Sequence, residues 1–164
     1  MTGRIGDLHV DQSDRAAVIL FAGRPSAERT GGFRSYVPYR ALGYGCGGKR
    51  GQYRVGLVPH GPSCRTVFFL DRKTGKLETF FTSSPEYSES HGVRIGMPQG
   101  AAERLLHRRL TVGCTTALHF ESATGSLSVS FGGGKQYATA VKGAHVDAFV
   151  VHGKGRDPDL FDCL

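Results

Sequence analysis

The chain has 164 residues, with 21 Lys and Arg against 14 Asp and Glu, for a formal charge of +7. Hydrophobic residues make up 39%, and there are 24 glycines and no tryptophan. That excludes a disordered acidic tail, and the glycines lack the three-residue period of collagen. The length suits one domain or two small repeats.

Residues 6–23 begin with apolar alternation at Leu8 and Val10, pass a polar turn, and continue with Ala16, Ala17 and Leu20. The pattern predicts a strand, a turn and an amphipathic helix, with Ser13 or Asp14 as the cap. Val18-Ile19-Leu20-Phe21 taken alone reads equally well as a buried strand. Residues 91–108 repeat the pattern with Val93, Ile95, Ala101, Ala102 and Leu105, which favours the helix, and Pro98 suits a first helical turn. The longest apolar run, Ala16 to Ala22, is far shorter than the roughly 20 residues a membrane-spanning helix needs. Met1-Thr2-Gly3-Arg4 leads into no apolar signal-peptide segment, and a secreted chain freed of its leader reads the same way.

Further strands are expected at Phe33–Tyr39 and Tyr53–Leu57. Residues 64–81 then lie over 114–131 without gaps. Cys64/Cys114, Thr66/Thr116, Thr74/Thr124, Gly75/Gly125, Leu77/Leu127 and Phe81/Phe131 are identical pairs. Both copies place a Thr-Gly turn between runs of β-branched and aromatic residues, which predicts two hairpins. A rival register sets 146–150 on 77–81, and both remain open. The helix and hairpin copies are offset differently, which either places an insertion at about 25–60 in the first copy or makes the hairpin match partly fortuitous. The polar, Pro-containing stretch 83–90 reads as a boundary, and strands follow at Gln136–Val141 and His145–Val151. The expected class is α+β: two tandem repeats, each a short helical segment packed on an antiparallel β-sheet, spanning 1–84 and 85–164.

Chemistry-bearing motifs are few. Residues 43–50, GYGCGGKR, nearly spell a phosphate-cradling loop, but no helix follows to supply the backbone donors. His9, His60, His91, His107, His119, His145 and His152 are scattered; His119, His145 and His152 share the second sheet region without a ligand spacing. Asp71 and Glu121 match in the two hairpins and read as turn residues. Phe68, Phe69, Phe80 and Phe81 put an aromatic on both faces of each strand, so one aromatic layer is either core or a binding face. No catalytic triad, metal site or cofactor motif assembles, so an enzyme is not expected. The segment from Phe33 to Arg54 interleaves basic and aromatic residues. Its candidate binding residues are Arg34, Tyr36, Tyr39, Arg40, Tyr44, Tyr53 and Arg54, a mix that suits protein surfaces and, alternatively, polyanions such as cell-wall polymer or nucleic acid.

Cys46, Cys64, Cys114 and Cys163 form no CxxC, and His60 with Cys64 has no second close pair to complete a zinc site. Two disulfides in an oxidising compartment explain the count most simply, with three connectivities open and buried free thiols as the alternative.

The stretch TSSPEYSESHGVRIGM (82–97) resembles the inter-repeat junction of small secreted actinobacterial proteins of unknown role. The strand–turn–helix opening Gly92-Val93-Arg94-Ile95-Gly96-Met97 is also similar to that of beta-lactamase inhibitory protein and of small outer-membrane assembly lipoproteins. The first copy departs from it at Asp11-Gln12-Ser13, and Pro98 stands where Thr is usual. The resemblance implies two repeats with one disulfide each, Cys46–Cys64 and Cys114–Cys163. It also implies a secreted or otherwise extracytoplasmic protein-binding module, with an extracellular or periplasmic enzyme as one class of partner. None of the inhibitor's contact residues has a counterpart here.

Overall fold

The computed structural model describes residues 4–32, 38–47, 55–56, 63–109, 117–132 and 144–153. The chain opens with a two-stranded hairpin, β1 (Arg4–Ile5) and β2 (Leu8–His9), turned at Gly6 with φ 57°. Helix α1 (Arg15–Ala22) follows. Asp14 caps it, its Oδ1 accepting from the Ala17 N–H at 3.0 Å. Gly23, at φ 78°, ends the helix by donating its N–H to the Ile19 carbonyl.

Five strands come next: β3 (Ala27–Gly32), β4 (Pro38–Cys46), β5 (Val55–Gly56), β6 (Ser63–Asp71) and β7 (Leu77–Thr82). The β6–β7 turn is fixed by Asp71, whose Oδ1 accepts from the Lys73 and Thr74 N–H groups, and by Gly75 at φ 71°. Helix α2 (Gln99–Leu105) starts after Pro98, and β8 (Ala117–Ser122), β9 (Gly125–Phe131) and β10 (Val146–His152) complete the described chain. The second hairpin turns at Ser122–Gly125, as the Thr124-Gly125 pair predicts.

The expected α+β organisation in two helix-plus-sheet repeats does not form. The molecule is predominantly β: one antiparallel sheet of eight strands runs in the order β3-β4-β6-β7-β10-β9-β8, with β5 beside β6. The physical reason lies in the helices and in one strand pair. Each helix is only about two turns long, and each buries a single side chain, Val18 or Ala102, so neither builds a layer. Strand β10 pairs with β7 through Phe149↔Thr82, Val150↔Phe81, Val151↔Phe80 and His152↔Thr79, which fuses both hairpins into one sheet. The predicted strand at Val93–Ile95 is reduced to turns and isolated bridges, Ser88↔Arg94 and Pro98↔His145. The expected strand at Gln136–Val141 lies outside the described residues, as does most of Phe33–Tyr39 and Tyr53–Leu57.

Strand alternation divides the core between two faces. On the helix-bearing face Leu42, Phe68, Phe80, Val129, Phe149 and Val151 pack with Val18, Ala102 and the N-terminal hairpin. On the opposite face Tyr39, Ala41, Val67, Phe69, Phe81, Ala148 and Val150 form a second buried cluster. Each Phe-Phe pair is thus split across the sheet, and the second aromatic layer is core: Phe69 and Phe81 are fully buried. Around Phe68 the rings of Phe80, Tyr44 and Phe21 stand at 4.9, 5.6 and 6.5 Å, the last two edge-on.

Cys46 and Cys64 form a disulfide, joining β4 to β6 where the two residues sit directly opposite. Cys114 and Cys163 lie outside the described residues. No helix among the described residues is long and apolar enough to cross a membrane.

Candidate functional site

Three of the basic and aromatic residues singled out in 33–54 are described, and alternation puts Tyr39 on the opposite face of β4 from Arg40 and Tyr44. Tyr39 is only 2% exposed, stacked edge-on to Phe69 at 5.2 Å, and burial pushes its phenol pKa up. Arg40 projects from the strand to the Glu28 carboxylate at 3.5 Å. Glu28 also accepts from two of the three guanidinium nitrogens of Arg15, Nε at 3.2 Å and Nη2 at 2.8 Å, and that hydrogen bonding holds its carboxyl below the usual range. Tyr44 donates its hydroxyl to the Gly23 carbonyl at 3.0 Å, which ties β4 to the end of α1. Arg34, Tyr36, Tyr53 and Arg54 lie outside the described residues.

Histidine placement follows strand registry. His119 and His152 flank β9 on either side, opposite Ser128 and Ser126. The His119 ring meets the Ser128 hydroxyl at 2.8 Å, and the His152 ring meets Ser126 at 2.6 Å. Ser126, Ser128, Ser130 and His152 are buried. The buried Ser126, Ser128 and His152 are thus satisfied within the sheet, as buried polar groups must be, while the His119 ring is exposed. Asp71 is the turn residue the sequence predicts, whereas Glu121 sits within β8, exposed and opposite Ser126. Among the described residues no group of three His, Cys, Asp or Glu side chains is placed to hold a metal ion.

The helix-bearing face carries a cleft of about 1030 Å³. Its floor is sheet: Phe80 from β7, Leu127 from β9, and Phe149 and Val151 from β10. The N-terminal hairpin forms one wall, held by the Asp11 N–H donating to the Leu77 carbonyl and the Leu77 N–H donating to the Ser13 carbonyl, each at 2.7 Å. Segment 86–90 and the exposed turn residues Ala123 and Thr124 also line the cleft. Phe21, near the end of α1, lines it as well.

Three acidic residues line this cleft, Asp11, Glu86 and Glu89, with the Asp11 carboxylate lying over Gly153. Glu89 is buried and fixed, accepting from the Ser90 hydroxyl and the His91 N–H and meeting the His91 ring at 2.7 Å. Asp11 and Glu86 are exposed, and their carboxylates hold no hydrogen bond or ion pair among the described residues. Tyr87 packs on Phe80 at 5.2 Å, and burial raises its phenol pKa with help from the Glu86 charge. Sequence reasoning passed over this site. Its residues come from five separated segments, 5–12, 21, 80–90, 123–127 and 149–151, and 83–90 reads as a boundary although it carries Glu86, Tyr87 and Glu89.

No protein-family model matches the chain, and no curated protein matches it. Among solved structures, the crystal structure of the uncharacterized protein yfeY from Escherichia coli matches with a TM-score of 0.52 and 13% identity. The match covers 90% of this chain and 95% of that one. What the two share is a fold. At such low identity it carries no activity across, and the resemblance at 82–97 has no counterpart in these comparisons.

Proposed function

We propose that this chain is an extracytoplasmic, disulfide-containing binding module with no catalysis of its own, and that it holds a segment of another protein in the cleft on its helix-bearing face. One observation carries the reading: a cleft of about 1030 Å³ with an apolar sheet floor and a few polar side chains at its walls. Ligand sites have this size and this balance of apolar area to orienting polar groups. The Cys46–Cys64 bond supports an oxidising compartment, where disulfides persist. The polyanion alternative draws no support from Tyr39, which is buried, or Arg40, which is turned to Glu28.

The test uses three fluorescein-labelled decapeptides in which leucine alternates with lysine, serine or glutamate, titrated with the full chain and followed by anisotropy. Saturable binding that Ala123→Trp abolishes supports the cleft, because Ala123 lines it and the indole takes up space there. Binding by none of the three, or binding that Ala123→Trp leaves unchanged, overturns the reading.

A further inference from the structure

The charge on the cleft is opposite to the charge on the protein. The chain carries 21 Lys and Arg and a net +7, yet none of those cations is among the described residues that line the cleft. Three of the carboxylates are there instead. Two of them, Asp11 and Glu86, are exposed and without a partner cation among the described residues. The third, Glu89, is buried, and its carboxylate is engaged by the Ser90 hydroxyl, the His91 N–H and the His91 ring, so the negative charge offered to a ligand is that of the exposed pair.

Beside the carboxylates stand aromatic faces. Phe21, Phe80 and Tyr87 line the same space, and Phe80 and Tyr87 touch at 5.2 Å. An aromatic face attracts a cation through its quadrupole, and neighbouring carboxylates add Coulomb attraction within a partly dry site. Neither group favours an anion. The apolar floor, meanwhile, needs hydrocarbon rather than a bare ion.

Resting on the binding reading above, we infer that the cleft recognises a cationic, apolar polypeptide segment: lysine or arginine heads at Asp11 and Glu86, with leucine-like side chains on Phe80, Leu127 and Phe149. The overall +7 charge does not forbid this. At physiological ionic strength charges are screened over about 8 Å, so a ligand inside the cleft responds to the walls and not to the distant surface.

The same three decapeptides test the inference. The leucine–lysine peptide binds at least tenfold tighter than the leucine–serine peptide, and the leucine–glutamate peptide binds weakest. Asp11→Asn with Glu86→Gln removes that tenfold preference while leaving the leucine–serine affinity in place. Tyr87→Phe keeps the preference and Tyr87→Leu reduces it about threefold, since only the first retains an aromatic face. Raising salt weakens the lysine peptide alone. If the serine or glutamate peptide binds as tightly as the lysine peptide and Ala123→Trp still blocks it, the charge assignment falls and the binding cleft stands. If the lysine peptide binds but ignores Ala123→Trp, both fall.

Discussion

Replacing Cys46 and Cys64 together by alanine removes a crosslink between positions that the sheet already holds opposite each other. Strands β4 and β6 are in antiparallel register from Tyr39↔Asp71 to Tyr44↔Thr66, and Cys46↔Cys64 continues that ladder. The bond therefore acts chiefly on the unfolded chain, where it closes a loop of sequence separation 18. Loop-closure entropy for that length is worth about 3 kcal/mol at room temperature. A domain of ordinary stability, about 5–15 kcal/mol, survives the loss. Urea titration followed by the far-ultraviolet circular dichroism of the sheet measures it. With a slope of about 2 kcal/mol per molar, the midpoint falls by about 1.5 M and the native spectrum is unchanged. A shift under about 0.5 M would show that the crosslink does not constrain the unfolded ensemble. A lost native spectrum would show that the β4–β6 register depends on the bond itself.

Phe68→Ala empties the centre of the aromatic cluster, where Phe68 is fully buried against Phe80, Tyr44 and Phe21. The expected cost is about 3–5 kcal/mol, read as a lower urea midpoint. The buried Thr66 and Thr82 hydroxyls meet at 2.8 Å, and Thr82 Oγ1 also accepts from the Ser84 N–H. Thr82→Val therefore orphans two groups and Thr66→Val one, at about 1–3 kcal/mol each; equal losses in a thermal melt would contradict the network. Glu28, with its carboxyl pKa lowered first by the Arg15 hydrogen bond, stabilises the fold above the ordinary Glu value of about 4.3 and loses that contribution as pH falls through its lower folded value. Urea midpoints measured down from about pH 5 should decline, and Arg15→Gln should shallow the decline; an unchanged profile in the variant would contradict the pairing.

Local chemistry was legible in the sequence. Both Thr-Gly turns are where the residues put them, because Asp71 and Ser122 supply side-chain acceptors to turn N–H groups and Gly75 takes positive φ. The start of α1 was legible for the same reason, since Asp14 caps it. Strand β3 was not: its residues, Ala-Glu-Arg-Thr-Gly-Gly, have little β-branched or apolar content. It is a strand only because β4 offers it a ladder of partners from Ala27↔Gly43 to Gly32↔Pro38. The candidate residues of 33–54 stood out by composition, and composition does not set burial. Tyr39 and Arg40 are adjacent in sequence yet point to opposite sides of β4, one into the core and one to a carboxylate.

By itself the sequence determined what a few neighbouring residues decide: turns, helix starts and the alternation that splits Phe68 from Phe69 and Phe80 from Phe81. Only the tertiary structure decided that β7 lies beside β10, which makes one sheet of what read as two repeats. It also gathered Asp11, Glu86, Tyr87 and Phe149 around one cleft. The reason is range. A turn is selected by hydrogen bonds within a few residues, whereas strand order and cleft walls depend on contacts between distant segments, which no local pattern in the chain records.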